Sequence, residues 1–426
     1  VSHLADPTDL RALLDRALSD EVRRLLELAA RVAADHGAPI YLVGGPVRDL
    51  LLGHPITDLD LVVEGDAWPI AAAYESLTGG RLTRHAQFRT AAVEVVADGR
   101  PFVVDFVTAR RERYPAPAAL PVVTPSNIRD DLFRRDFTIN TLALRLHPSG
   151  AIDLLDPFGG LADLRRGILR ALHAASFIDD PTRIVRAARF AGRLAFEMDG
   201  WTRSLIDAAL AQRMIERTTP QRIFREIELT LQEPEPERAL AILRAWEALP
   251  QLRLPWRDEL PARFVAARAA EWTDVPLPAI YLGLLIAAMS HEQRAAFAAR
   301  YNLPGWARAL LAELPRVLDI APDDVADDVA LESRLKRVSL PALRTLQIVA
   351  PPPLRGRITH YVDHLRVLPP LLSGDDLRAH GMAPGPAFGT LLDEARRAQL
   401  RGAIATRAAA LQWLQQRLDD ERRRTC

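Results

Sequence analysis

Between Tyr41 and Val63 the chain reads YLVGGPVRDLLLGHPITDLDLVV, and no other stretch restricts its fold as tightly. A β-type run ends on Gly44-Gly45, Val47 to Leu52 has helix-forming composition, and a second β-type run carries Asp58 and Asp60 one residue apart. Alternation along a strand sends both carboxylates to one face while Leu59 and Leu61 point into a core. The glycines let backbone N–H groups approach an anion closely, and the helix N-terminus adds its dipole. Arg48 stands on the first turn, where it can pair with a phosphate.

Two carboxylates on one face repel unless a cation sits between them. Hard oxygen ligands on a rigid strand suit Mg²⁺, which keeps several waters and accepts phosphate oxygens. A third acid, Asp105, lies between Val103-Val104 and Phe106-Val107 on another β-type run. Three carboxylates on adjacent strands would hold two metal ions, the arrangement used for in-line nucleotidyl transfer. For a bare Asp-x-Asp the competing reading is a turn cap at Asp58 and a solvated Asp60; the Gly-Gly, Arg48-Asp49 and spacing around it favour the metal site.

The neighbouring sequence supplies a sheet for these strands. Ala91 to Val96 and Phe102 to Val107 flank Asp98-Gly99, a hairpin signal, and Asp66 to Leu77 has helical texture. Residues 1–155 are therefore expected to form an α/β head, its small mixed sheet lying within residues 37–155 after an amphipathic helical start at Asp9 to Ala34. After Asp156-Pro157-Phe158-Gly159-Gly160 strand signals nearly vanish, and prolines cut the rest into helices of ordinary length. The expected divisions are an all-α neck (156–245), body (246–365) and tail (366–426).

Composition closes off several classes. The single cysteine, Cys426, excludes an internal disulfide framework and a thiolate zinc cluster, which fits a reducing cytosol. The longest apolar run, Val275 to Met289, is broken by Pro276 and Pro278 and is too short for a bilayer span, and VSHLADPTDL has no secretory pattern. A cytoplasmic protein without membrane contact is expected. Lys+Arg 55 balance Asp+Glu 55, which weighs against a general nucleic-acid binder, yet the charge is segregated. Leu161 to Arg193 carries a net +4 and Arg396 to Arg424 a net +5, against −6 in Val317 to Glu332. Lys336 is the only lysine, so nearly every basic group is a guanidinium.

The first motif, Gly44-Gly45-Pro46-Val47-Arg48-Asp49 with Asp58-Leu59-Asp60, resembles that of the class II tRNA nucleotidyltransferases and bacterial poly(A) polymerases of the polymerase-β-like superfamily. Four further segments resemble the family's later motifs in order: Arg134-Arg135-Asp136-Phe137-Thr138-Ile139-Asn140, Asp156 to Leu164, Asp179-Asp180-Pro181-Thr182-Arg183, and Thr219-Pro220 to Glu226. The resemblance covers residues 41 to 228 and is looser beyond.

From this resemblance follow the expected roles. Asp58, Asp60 and Asp105 would organise two Mg²⁺ ions, with Gly44, Gly45 and Arg48 beside the phosphates. Arg135 and Asp136 would contact the nucleotide, Asp136 accepting from the ribose 2′-OH. At Asn140 two readings stay open, orientation of the sugar or capping of local backbone. Asp180 and Arg183 would form an amino-acid template for the Watson–Crick edge shared by C and A, which U and G fail to match. Arg186 and Arg189 would hold the triphosphate; with Arg183 and Arg193 they span an arc of about 120° on one helix. Asp179 stands where the family has Glu, which would weaken a brace to Arg183. Residues 110–130 resemble the family's flexible loop at full length, a feature of members that add A.

The resemblance implies addition of CCA to the tRNA 3′ end from CTP and ATP. A-only addition, poly(A) synthesis and a non-catalytic RNA-binding protein are the alternatives. The tail is expected to grip the acceptor and T arms of tRNA, and no obligate protein partner is expected.

Overall fold

The structure is a computed structural model that describes residues 9–85 and 89–425; Cys426 lies outside them. The chain divides into two compact units, Val1–Leu252 and Arg253–Cys426.

The first unit opens with α1 (Leu10–Ala17) and α2 (Asp20–Asp35), capped by Asp9 and Ser19 side chains that accept from Ala12 and Val22 N–H. Then come β1 (Ile40–Val43), α3 (Gly45–Leu52), β2 (Leu59–Val63), α4 (Ala67–Thr78), β3 (Arg81–His85), β4 (Thr90–Ala97) and β5 (Arg100–Thr108). A two-stranded hairpin, β6 (Arg110–Arg113) with β7 (Val122–Pro125), leads to α5 (Ile128–Phe133), β8 (Ala143–Leu146) and β9 (Ile152–Leu155). Seven strands form one sheet in the order β3-β4-β5-β2-β1-β8-β9. Only β2 and β5 run parallel, in a register that sets Asp60 beside Asp105; every other neighbouring pair is antiparallel. The mixed sheet is thus as expected. Asp98 and Gly99 both take positive φ, 51° and 71°, which is the twist a tight β4–β5 turn demands.

Beyond the sheet come α6 (Gly160–Arg166), a two-residue strand β10 (Ile168–Leu169), α7 (Ser176–Asp179), α8 (Thr182–Leu194) and β11 (Glu197–Met198). They continue into α9 (Gly200–Ala211), α10 (Met214–Arg217), α11 (Pro220–Leu231) and α12 (Pro236–Ala245). Helix α8 packs on α11 and α12, and at Gly192 it comes so near α12 that an added Cβ would lie 2.8 Å from the Ala239 backbone nitrogen.

The second unit is helical: α13 (Leu260–Ala269), α14 (Leu277–Ala288), α15 (His291–Arg300), α16 (Gly305–Leu318), α17 (Asp328–Leu335), α18 (Leu340–Val349), α19 (Pro352–His360), α20 (Gly374–Ala379), α21 (Pro386–Leu400) and α22 (Arg407–Thr425). The apolar run noted in the sequence becomes α14, a core helix buried on nearly all sides against α13, α16 and α18. Among the described residues no helix is long and apolar enough to cross a membrane. A separate small core joins Leu372 and Leu377 to Leu391, Ile404, Leu414 and Leu418, with Trp413 half-buried on it.

The charge of the basic tail is partly answered within its own unit. Arg396 pairs with Glu332 at 2.9 Å, Arg407 with Asp376 at 2.5 Å and Arg417 with Glu394 at 3.2 Å, so these three tail arginines are engaged within the unit.

Candidate nucleotide site

One cavity of about 690 Å³ gathers most of the residues singled out in the sequence. Its lining includes Gly45, Arg48, Asp58, Asp60, Arg135, Asp136, Asn140, Asp180, Arg183, Arg186 and Arg189, joined by Asp49, Arg193 and Arg222. It is built between the end of the sheet that carries β2 and one face of α8 along its length.

Gly44 is the N-cap of α3 at φ 72°, and a Cβ there would collide with Arg135 Nη1. Gly44 therefore serves the site by letting Arg135 close in, while its neighbour Gly45 faces the cavity.

Asp58 and Asp60 reach the cavity together, as the one-residue spacing requires. The Asp60 carboxylate makes no hydrogen bond or ion pair among the described residues. Burial, then the charge of Asp58, pushes its pKa up to about 6. Such a pair fits a divalent cation, which would relieve both effects. Asp105, the third expected carboxylate, sits one strand over in register with Asp60 and outside the cavity lining; its charge acts on Asp60, and burial, then Asp58, raises its own pKa. Among the described residues no three His, Cys, Asp or Glu side chains are placed to hold one ion. From the cavity wall Asp58 and Asp60 offer a cation two carboxylates, and water and phosphate oxygens can fill other positions on it.

The arginines are backed by acids. Arg48, 3% exposed, pairs with Asp49 at 2.9 Å and donates to Asn140 Oδ1 at 2.6 Å. Arg186 pairs with Asp136 at 2.7 Å and Glu226 at 3.3 Å, Arg189 with Glu226 at 3.4 Å and Glu233 at 3.2 Å, and Arg193 with Asp49 at 3.2 Å. The helical arc is as expected: Arg183, Arg186, Arg189 and Arg193 all line the cavity. The Nε atoms of Arg135 and Arg189 are buried without a hydrogen-bond partner.

Asp136 is fully engaged. One oxygen accepts from Phe137 N–H at 2.9 Å and Asn140 Nδ2 at 2.8 Å, and the other takes the Arg186 guanidinium. Burial opposes its charge, but Arg186 and Asn140 hold its pKa well below the usual carboxylate range. The expected ribose 2′-OH contact would have to displace one of these donors; as built, Asp136 positions Arg186 and Asn140. Asn140 accordingly bridges Arg48 to Asp136 through its side chain, beyond local capping.

Asp180 and Arg183, the expected template pair, line the cavity with Tyr114 and Arg222. Arg183 donates to Ser176 Oγ at 2.8 Å and to the Arg134 carbonyl at 2.5 Å. The brace anticipated from Asp179 is therefore supplied by other groups, and Asp179 makes no hydrogen bond to Arg183. Asp180 Oδ1 accepts from Thr182 N–H and Oγ1 across Pro181, the N-cap of α8, and from Arg222. Residues 110–125 form the β6–β7 hairpin, tied down by Glu112 to Arg110 and Arg134 and by the Ala118 N–H donating to the Ile178 carbonyl.

Sequence reasoning left Arg222, Glu226, Glu233 and Asp49 without roles. A signal was available: four arginines on one face of α8, with no acid three or four residues away on that helix, must find counter-charge on neighbouring elements.

Residues 40–170 match the poly A polymerase head domain family. The chain is 32% identical over 407 residues to the A-adding tRNA nucleotidyltransferase of Halalkalibacterium halodurans, covering 94% of each protein. It is 36% identical to the CC-adding tRNA nucleotidyltransferase of Deinococcus radiodurans, covering 90% of each. Some relatives are longer: the chain spans 47% of the A-adding enzyme of Geobacter sulfurreducens. Among solved structures, the Thermotoga maritima CCA-adding enzyme complexed with tRNA_CCA superposes with a TM-score of 0.68 at 27% identity, covering 96% of this chain and 98% of that one. Motifs, cavity and likeness along the whole chain agree: this protein belongs to the tRNA nucleotidyltransferase family.

Proposed function

We propose that the protein rebuilds the 3′-terminal CCA of tRNA, transferring CMP and then AMP units from CTP and ATP to the terminal hydroxyl with release of pyrophosphate. The observation that carries this reading is the single cavity in which the Asp58–Asp60 pair, the α8 arginines and the Asp180–Arg183 pair meet.

The chemistry follows from the groups at hand. Arg186, Arg189 and Arg193 hold the triphosphate through guanidinium forks, and Arg48 adds charge beside α3. The free oxygen of Asp180 accepts from the exocyclic amino group that C and A share, and unused Arg183 hydrogens donate to the adjacent ring nitrogen. U and G leave these groups unpaired. Bound at Asp58 and Asp60, a divalent cation such as Mg²⁺ supplies positive charge at the α-phosphate and favours the ionised hydroxyl. Orientation and fixed charge supply most of the rate.

A second reading, A-only addition, is favoured by the A-adding relative that matches the chain from end to end. Purified protein with tRNA lacking CCA separates the two. CTP alone should lengthen the RNA by two residues, and CTP with ATP should complete the end. Absence of C incorporation, with A still added to a CC end, would replace the proposal by the second reading.

A further inference from the structure

We propose that Glu233 is a positioning residue that weakens the grip of the α8 arginines on phosphate, so that pyrophosphate departs after each transfer. The inference rests on the reading of Arg186, Arg189 and Arg193 as the triphosphate site.

Four of the guanidiniums that line the cavity, Arg48, Arg186, Arg189 and Arg193, are answered by four carboxylates, Asp49, Asp136, Glu226 and Glu233. Asp49 and Asp136 share the cavity wall. Glu226 and Glu233 are absent from the lining and meet the arginines from behind. Glu226 bridges Arg186 and Arg189, on the face where α11 supports α8. Glu233 has a different place. It follows the last turn of α11, its side chain 11% exposed, with Oε1 3.2 Å from Arg189 Nη1 and Oε2 4.0 Å from Arg193 Nε.

The local sequence fixes that carboxylate. Glu233-Pro234-Glu235-Pro236 puts a proline directly after it, which confines its backbone, and its N–H donates to the Thr230 carbonyl at 3.2 Å. Helix α12 begins at Pro236 and is pressed onto α8 at Gly192, so the two arginines and the acid belong to one rigid packing unit.

An arginine remains protonated throughout the working pH range, so its hold on phosphate is set by the counter-charge around it. In the transfer, the RNA 3′-oxygen bonds to the α-phosphorus, its proton passing to water. The bond to the bridging oxygen breaks, and pyrophosphate leaves with the electron pair. The product keeps the two phosphates that the arginines held. A carboxylate behind Arg189 and Arg193 lowers the affinity for substrate and product alike, and turnover gains wherever release limits it. Charge, and not mere support, is the operative property. Loss of a structural prop would loosen the arginines and raise KM, whereas removal of an attenuating charge lowers it.

The test uses the full chain and Glu233→Gln, which keeps shape and one acceptor. Pyrophosphate should bind about five-fold more tightly, with KM for CTP and ATP lower and kcat reduced, the size expected for one partly buried charge contact. Glu235→Gln makes the same change in net charge two residues on, where the side chain pairs with Arg238, and should leave all three quantities as in the wild type. Glu233→Asp, which keeps the charge but retracts it, should fall between wild type and Gln and serves if the Gln variant fails to fold. Unchanged or weaker pyrophosphate binding in Glu233→Gln overturns the proposal. If the wild-type protein binds neither pyrophosphate nor nucleotide, the assignment of the arginine face falls, and the role of Glu233 with it.

Discussion

Arg222 donates from Nη2 to Asp180 Oδ1 at 2.7 Å, and that same oxygen accepts the Thr182 hydroxyl at 2.5 Å and the Thr182 N–H at 3.1 Å. One oxygen of the carboxylate is thereby saturated, and its rotation is fixed. The other accepts no hydrogen bond among the described residues. Arg222 also donates to the Ala118 carbonyl at 3.3 Å, so one guanidinium touches both the hairpin and Asp180.

Replacing Arg222 with Met should free the Asp180 carboxylate to turn. Discrimination of CTP and ATP against UTP and GTP should fall about tenfold, as expected for loss of one charge-assisted hydrogen bond that orients the reader. Competition assays on tRNA ending in CC measure this, and undiminished selectivity would remove Arg222 from the template.

Asp60→Asn should reduce nucleotide incorporation by about a thousandfold, the scale expected when a group that organises charge at the reacting phosphate is lost. Stability should move the other way. The Asp60 pKa is raised from 3.8 to about 6 on folding, so the native state binds more protons between those values. Wild-type stability should therefore fall as pH rises through that window and stay lower above it, by about 1–3 kcal/mol in metal-free buffer. Asn removes that penalty, and the two melting curves should converge near pH 4. Added Mg²⁺ should raise the wild-type melting temperature more than that of the variant.

His173 gives the opposite slope. Its ring stacks near Phe133, and burial, then the Arg183 charge, lowers its pKa from 6.5 to about 4. The unfolded chain takes up the proton first, so this group costs no stability above pH 6.5 and an increasing amount between there and pH 4. Urea midpoints of His173→Phe should change less across that range than those of the wild type; parallel curves would show that the ring does not titrate in this way.

Gly44→Ala puts a side chain at φ 72° and against Arg135. A loss of about 1–3 kcal/mol is expected from the backbone conformation alone. Nucleotide affinity should fall further, because Arg135 must retreat; calorimetry with CTP distinguishes this from simple destabilisation.

The parts of the fold that could be read in advance are those whose own residues carry the pattern. Strands β4 and β5 announce themselves through alternation around Asp98-Gly99, and α8 through the 100° spacing of its arginines. Strand β3 does not: Arg81 to His85 is mostly exposed and gains its form only by pairing with β4. Residues 110–130 resemble the family's flexible loop, and the β6–β7 hairpin inside them is not announced by its own charged run, Arg110 to Arg113, which is ordered by ion pairs of Arg111 with Asp130 and of Glu112 with Arg134 from remote positions. In the site the same division holds. Asp58 and Asp60 follow from local spacing, whereas the register that sets Asp105 beside Asp60, and the acids behind the arginines, depend on which elements pack together.

The near contact of Gly192 with Ala239 has one last implication. Like charges along one side of a helix push it apart, and an isolated α8 would resist gathering four guanidiniums around a cavity. Clamped against α12 at a residue without a side chain, the helix holds this charge before any ligand arrives. A larger residue at 192 should lever α8 outward and spread the arginines, so a methyl group remote from the substrate could retune the entire phosphate grip.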